Sequence, residues 1–173
     1  MYSSFKALCE KRHSIRSFHP EPVSGDMIHQ ILEVVRTAPS AGNLQAYEVV
    51  IVKDAAVKRQ LAAAAYGQDF VRQAPVVLAF LGLPSVSSQR YGSRGARLYA
   101  VQDATIACTF AMMAVTALGL ATTWIGAFDA AAVKAALGIT DDRIPVALLP
   151  VGHGSEKPIK TPRRPLERFT WEL

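Results

Sequence analysis

The chain has 173 residues, 50% hydrophobic and 19% charged, a length and balance suited to one domain spanning residues 1–173 around its own core. That balance excludes a disordered or fibrous chain, and a formal charge of +5 with its basic residues bunched points to a local anion site rather than a wide nucleic-acid face. Cys9 and Cys108 have no CxxC spacing, and Lys6, Glu10, Lys11 and Arg12 break any leader-like apolar run, so a reducing cytoplasm is expected.

In chain order, Ser3 to Lys11 reads as a first helix, followed by the irregular basic segment RHSIRSFHPEPVS. Ser24 is an N-cap for a helix to about Thr37, with Ile28, Ile31, Leu32 and Val35 at helical spacing. Small residues follow, Ala38-Pro39-Ser40-Ala41-Gly42-Asn43, and Tyr47 to Lys53 reads as a strand. Asp54 caps a helix from Ala55 to about Tyr66, and Pro75 opens a second strand whose unbroken apolar run means that both faces are covered. Pro84 to Gly95, PSVSSQRYGSRG, reads as a polar, mobile loop.

The uncharged run from Ile106 to Phe128 is long enough to cross a bilayer, but Gly119 sits where a helix ends and ATTWI beyond it is β-branched and aromatic. It therefore divides into a helix from about Ala96 to Leu118 and a strand from Ala121 to Ile125, and so apolar a helix suits a subunit interface. Asp129 caps a short helix, Ile144 to Val151 is the last strand, and Gly152 to Leu166 is a proline-rich tail that leads to the terminal FTWEL. Helices and strands alternate without βαβ regularity, which predicts an α+β fold with a mixed sheet among helices.

The chain lacks GxxxxGK[ST], GxGxxG and GxSxG, and its four histidines show no metal spacing. Two basic clusters remain. Arg12, His13, Ser14 and Arg16 offer guanidinium forks and a hydroxyl within one irregular stretch, which suits a phosphate. Lys160, Arg163 and Arg164 lie among prolines that stiffen the tail, and Leu166, Phe169, Trp171 and Leu173 give it apolar groups that a free tail has no reason to carry. The aromatics are not interleaved with the arginines as stacking platforms for nucleic acid would be.

Taken together these motifs resemble the FMN-dependent nitroreductase family: Lys11 to Phe18, Ala38 to Gln45, Gly67-Gln68, Gly119 to Gly126, and Pro150-Val151-Gly152 leading to Pro162 to Glu167. The resemblance implies a mixed, mainly antiparallel sheet surrounded by helices, with the C-terminal tail reaching the partner of a homodimer and FMN bound at the subunit interface. It implies that Arg12, Ser14 and Arg16 hold the phosphate and ribityl end with His13, and that Arg163 or Arg164 closes on the same phosphate. Pro39, Ser40 and Asn43 would come from the partner to lie against the isoalloxazine, Gln68 would bond its polar edge, and Trp124, Ile125 and Gly126 would pass beneath it, the Gly126 N–H toward N5. No catalytic side chain and no metal is implied, because flavin N5 carries the hydride.

The activity implied is hydride transfer from NAD(P)H through the flavin to a nitroaromatic, quinone or related acceptor in a ping-pong cycle. Flavin fragmentation, reductive dehalogenation, peptide-heterocycle oxidation and a flavin-binding or sensing role without turnover stay open on the same motifs. Arg90, Arg94 and Arg97 are candidates for favouring a phosphate-bearing donor such as NADPH.

Overall fold

Two central strands whose successive residues face two different cores organise the molecule. The computed structural model describes residues 1–173. It contains helices α1 (Tyr2–Lys11), α2 (Gly25–Val35), α3 (Ala55–Ala64), α4 (Phe70–Gln73), α5 (Pro84–Arg94), α6 (Ala100–Ala117) and α7 (Ala130–Ala136). Strands β1 (Tyr47–Val52), β2 (Val76–Gly82), β3 (Ala121–Thr122) and β4 (Ile144–Gly152) form one sheet in the order β1-β2-β4-β3, every pair antiparallel. The mixed character expected of the sheet comes down to one parallel bridge, Ser14 to Thr122.

Every residue of β2 is buried, as its unbroken apolar run predicts. Val76, Leu78 and Phe80 face one core with Ala147, Leu149 and Val151 of β4, covered by α2 and α6. Val77 and Ala79 face the other with Leu148, covered by α3, α4 and α7. Phe80, Leu78 and Leu149 are fully buried, each contributing about 1.5–3 kcal/mol in apolar transfer.

The capping residues do what their chemistry requires. Ser24 Oγ accepts from Met27 N at 3.1 Å, Asp54 from Ala56 N and Val57 N, and Asp129 from Ala131 N and Ala132 N. Gly119 ends α6 at φ +76, where a side chain would be strained.

Two elements differ from expectation. The polar stretch Pro84 to Gly95 is helical, not a loop: Pro84 starts α5 at a position where its missing N–H is no loss, and Ser87 is buried against the buried Gly95. Gly92, at φ +55 and ψ −144, breaks the regular spiral, and a π-type turn over Gly95–Tyr99 leads into α6. The strand expected over Ala121 to Ile125 pairs only at Ala121–Thr122, and Ile125 rejoins β4 through a bridge to Leu148.

The helical stretch Pro84–Ala117 is long and apolar enough to cross a membrane by length and composition. Here Ala104, Ala107, Cys108, Ala111 and Val115 are buried, most of them in the larger core. Ile106, Phe110 and Met113 on the same helix are only half-buried.

Candidate functional site

Backbone pairing places the first basic cluster beside the strand end from which the basic tail departs. Ile15 N donates to Thr122 O at 3.0 Å, His19 N to His153 O at 2.8 Å and Ser155 N to Ser17 O at 2.9 Å, with Phe18 bridged to Gly154. The irregular segment after α1 is thus laid beside β3 and the end of β4, and the tail leaves from the same edge. Arg12, His13, Ser14, Arg16 and Arg163 share the lining of a cavity of about 510 Å³ with Glu156 and Lys157. A second cavity of about 330 Å³ uses Arg12, His13 and Arg163 again, with Lys6, Cys9 and Lys160.

The guanidinium groups of Arg12, Arg16 and Arg163 form no salt bridge with any carboxylate. The one carboxylate in the larger cavity, Glu156, accepts from the backbone N–H of Arg16 at 2.5 Å. His13 lies with Nδ1 2.8 Å from Lys11 O, and because a carbonyl only accepts, Nδ1 carries the proton in that contact. Arg164 is not part of either lining; its guanidinium lies over Phe169, 5.7 Å from the ring centre.

Thr122 to Gly126 continues from this edge. Thr122 Oγ1 donates to Pro150 O at 2.7 Å, Thr123 Oγ1 is buried without a protein partner, and Ile125 exchanges both backbone bonds with Leu148. The exposed Gly126 N–H meets no protein acceptor. Gln68 is tied to this segment, its Nε2 donating to Ala65 O at 3.0 Å and Ala127 O at 3.3 Å. A Cβ on Gly126 would sit 3.1 Å from Trp124 Nε1, so the glycine lets the indole fold close over the backbone.

Pro39, Ser40 and Asn43 stand apart from the basic cavity, on the loop between α2 and β1. Gly42, Asn43 and Gln45 are left-handed at φ +57, +58 and +49. For the two that are not glycine this is strain of order 1–3 kcal/mol each, held in place by its surroundings. Ser40 Oγ accepts from Gln45 N at 2.9 Å, and Arg90 Nη1 donates to Gly42 O at 3.4 Å. Within the chain, the structure gathers Arg12, His13, Ser14, Arg16 and Arg163 in one group and Gln68, Trp124, Ile125 and Gly126 in a second. It leaves the 39–43 loop as a third.

A model of the Nitroreductase family matches residues 9–68 and 62–153, most of the chain. The protein belongs to the Nitroreductase family. Among its relatives, an NADH dehydrogenase of Thermus thermophilus is 31% identical over 190 residues, covering 94% of this chain and 93% of that protein. An FMN reductase [NAD(P)H] of Bacillus subtilis is 32% identical over 180 residues, covering 96% and 72%. The structure of the hypothetical oxidoreductase YcnD of Bacillus subtilis superposes with a TM-score of 0.88 at 31% identity, covering 98% of this chain and 73% of that one. The crystal structure of a nitroreductase family protein of Streptococcus pneumoniae shares the fold over its whole length, with a TM-score of 0.89 at 24% identity.

One buried residue beside the 39–43 loop escapes sequence reasoning. Asp103 marks α6 as partly polar and nothing more in the sequence, yet it is 2% exposed and accepts from Ala41 N at 2.9 Å and Ala46 N at 3.4 Å. The available signal is an acid within an otherwise apolar helix, which has to find a donor once buried.

Proposed function

We propose that the chain is an NAD(P)H-dependent FMN oxidoreductase of the nitroreductase type, a single domain working as a homodimer. Electrons pass to a nitroaromatic, quinone or related acceptor in a ping-pong cycle. The observation that carries this reading is the meeting of Arg12, Ser14, Arg16 and Arg163, from opposite ends of the sequence, around one cavity with their guanidinium groups free of carboxylate partners. A phosphate monoester dianion supplies the charge such a set lacks. The residues fit FMN: a phosphate grip at the cavity, a free Gly126 N–H on the adjoining segment, and an amide side chain, Gln68, beside it.

When bound, the flavin supplies reversible hydride chemistry at N5. The protein's part is to bind and orient it. Arg12, Arg16 and Arg163 hold the phosphate, Ser14 adds a neutral donor, and His13 contributes its ring beside them. Arg164 remains free to steer the tail over Phe169. Gly126 N–H and Gln68 face the polar edge of the ring, Trp124 and Ile125 support it from below, and Pro39, Ser40 and Asn43 of the partner subunit cover it. The relatives that are named an FMN reductase [NAD(P)H] and an NADH dehydrogenase support the same cofactor and donor.

For the donor, Arg90, Arg94 and Arg97 are all candidates for a phosphate contact, Arg90 making a single guanidinium bond, to Gly42 O. Arg94 Nε donates to Tyr99 Oη at 3.1 Å and Arg97 Nε to Ser93 O at 3.4 Å, which leaves guanidinium nitrogens on both.

Purified protein reconstituted with FMN is expected to show a flavin spectrum that NADPH or NADH bleaches under argon, with a quinone restoring it. Parallel double-reciprocal lines establish the two-stage cycle. A bound flavin that neither nucleotide bleaches supports a binding protein without turnover, and failure to bind FMN removes the proposal.

A further inference from the structure

We propose that Asp103 is the positioning residue of the flavin-facing loop, a buried carboxylate that sets where Ser40 and Asn43 stand. The inference rests on the FMN reading above for what the loop touches, but on this chain alone for how the loop is held. Asp103 is 2% exposed and meets no cation; its two oxygens are taken by the backbone N–H of Ala41, at the start of the loop, and of Ala46, at its end. One side chain therefore spans the turn and fixes the separation of its two ends.

That clamp is what the intervening backbone needs. Between those two amides lie the left-handed residues Gly42, Asn43 and Gln45, a conformation that a free loop of these residues would leave. The outer side is held more lightly, by Arg90 Nη1 on Gly42 O and by the Ser40 hydroxyl on Gln45 N. Beyond the loop, a cavity of about 450 Å³ opens between Ala41, Asp103 and the half-buried Tyr99 and Ile106. The carboxylate thus stands at the junction of the loop, α6 and an open surface, where a small movement of α6 carries the loop with it.

The test uses Asp103→Asn, which keeps shape and one acceptor but turns an amide NH₂ toward one of the two N–H donors. In FMN-free protein, hydrogen exchange followed by mass spectrometry is expected to quicken about tenfold in peptides covering residues 40–47 and to stay unchanged in α3. Titrations with FMN and with riboflavin are expected to weaken together, each by about tenfold, because the phosphate grip is untouched. The absorption band of the flavin that still binds shifts toward that of the free molecule.

Gly42→Ala reaches the same loop while leaving Asp103 in place. At φ +57 a side chain is strained, and its Cβ would fall 2.5 Å from Tyr91 Oη and 2.8 Å from Arg90 Nη1, pushing Arg90 off Gly42 O, so the loop leaves its conformation and both flavins weaken again. Wild-type exchange in the 40–47 peptides of Asp103→Asn overturns the proposal. So does wild-type binding of both flavins by either variant. Two controls separate the readings: wild-type protein that binds neither FMN nor riboflavin removes the cofactor assignment, and Arg12→Ala that binds FMN like the wild type removes the phosphate grip alone, while in both cases the exchange data still report on Asp103.

Discussion

Arg12 and Arg163 stand far apart in sequence and line the same two cavities, so each is expected to contribute charge-assisted bonds to one anion. Such bonds are worth about 1.5–3 kcal/mol apiece, and Arg12→Ala or Arg163→Ala should weaken FMN by about 10–100-fold in a fluorescence titration. Riboflavin, lacking the phosphate, should bind both variants as it binds the wild type. Arg164→Ala should have little effect on either, since its guanidinium is turned to Phe169. The cysteines differ in the opposite way: Cys9 is exposed, whereas burial raises the Cys108 thiol pKa well above its ordinary value. A thiol reagent at pH 8 should therefore leave Cys108 unmodified in the native protein and reach it only in denaturant. At this scale the basic residues were legible because they stand in two short clusters. Which of Arg163 and Arg164 lines the cavity was not legible, because adjacent residues in an irregular tail can turn either way. Asp103 was hidden for a different reason: its partners are main-chain amides of Ala41 and Ala46, which leave no mark on a sequence.

Elements with a cap or an unbroken apolar run could be read directly, and those governed by tertiary pairing could not. Ser24, Asp54, Asp129 and Gly119 act locally, so α2, α3, α7 and the end of α6 follow from their own residues. The Ser and Gly of α5 carry the signature of a loop, yet Ser87 and Gly95 are small so that the chain can pack closely on itself there. Strand β3 stops at Thr122 because its pairing with β4 ends there, a fact outside its own composition. The contact of β2 with α6 yields a sharper expectation. A Cβ on Gly82 would lie 2.9 Å from Ala100 O, so Gly82→Ala forces strand and helix apart and should cost about 1–3 kcal/mol, read as a lowered melting temperature. Helix α3 gives a pH dependence. Backbone N–H bonds from Val57 and Ala56 hold the Asp54 pKa below its ordinary 3.8. A carboxylate depressed in the folded state stabilises above its unfolded pKa and loses that contribution as pH falls through the folded value. The melting-temperature advantage of wild type over Asp54→Ala should accordingly be steady near neutrality and shrink as the pH is taken below about 4.

At the scale of the whole molecule, the surface a single chain leaves uncovered is the guide. Helix α1 buries none of its residues, and Tyr2 and Phe5 are 78% and 59% exposed. The tail exposes Ile159, Leu166, Phe169, Trp171 and Leu173, while Ile106, Phe110 and Met113 of α6 are only half-buried. Apolar groups distributed in this way over a first helix, a core helix and a terminal segment fit a twofold assembly that covers all three at once. Light scattering is expected to give twice the 18.7 kDa chain mass. Removing residues 158–173 should yield monomer, but it also removes Arg163, so loss of FMN by that variant would not distinguish assembly from phosphate binding. Phe5→Glu does distinguish them, because it places a charge in the proposed interface and leaves every phosphate ligand intact. If the ring is completed by Pro39, Ser40 and Asn43 of the partner subunit, Phe5→Glu monomer should lose affinity for FMN and riboflavin alike. A Phe5→Glu monomer that binds FMN as tightly as the wild type would mean that one chain holds the whole ring, and the 39–43 loop would then have no part in the neighbouring site.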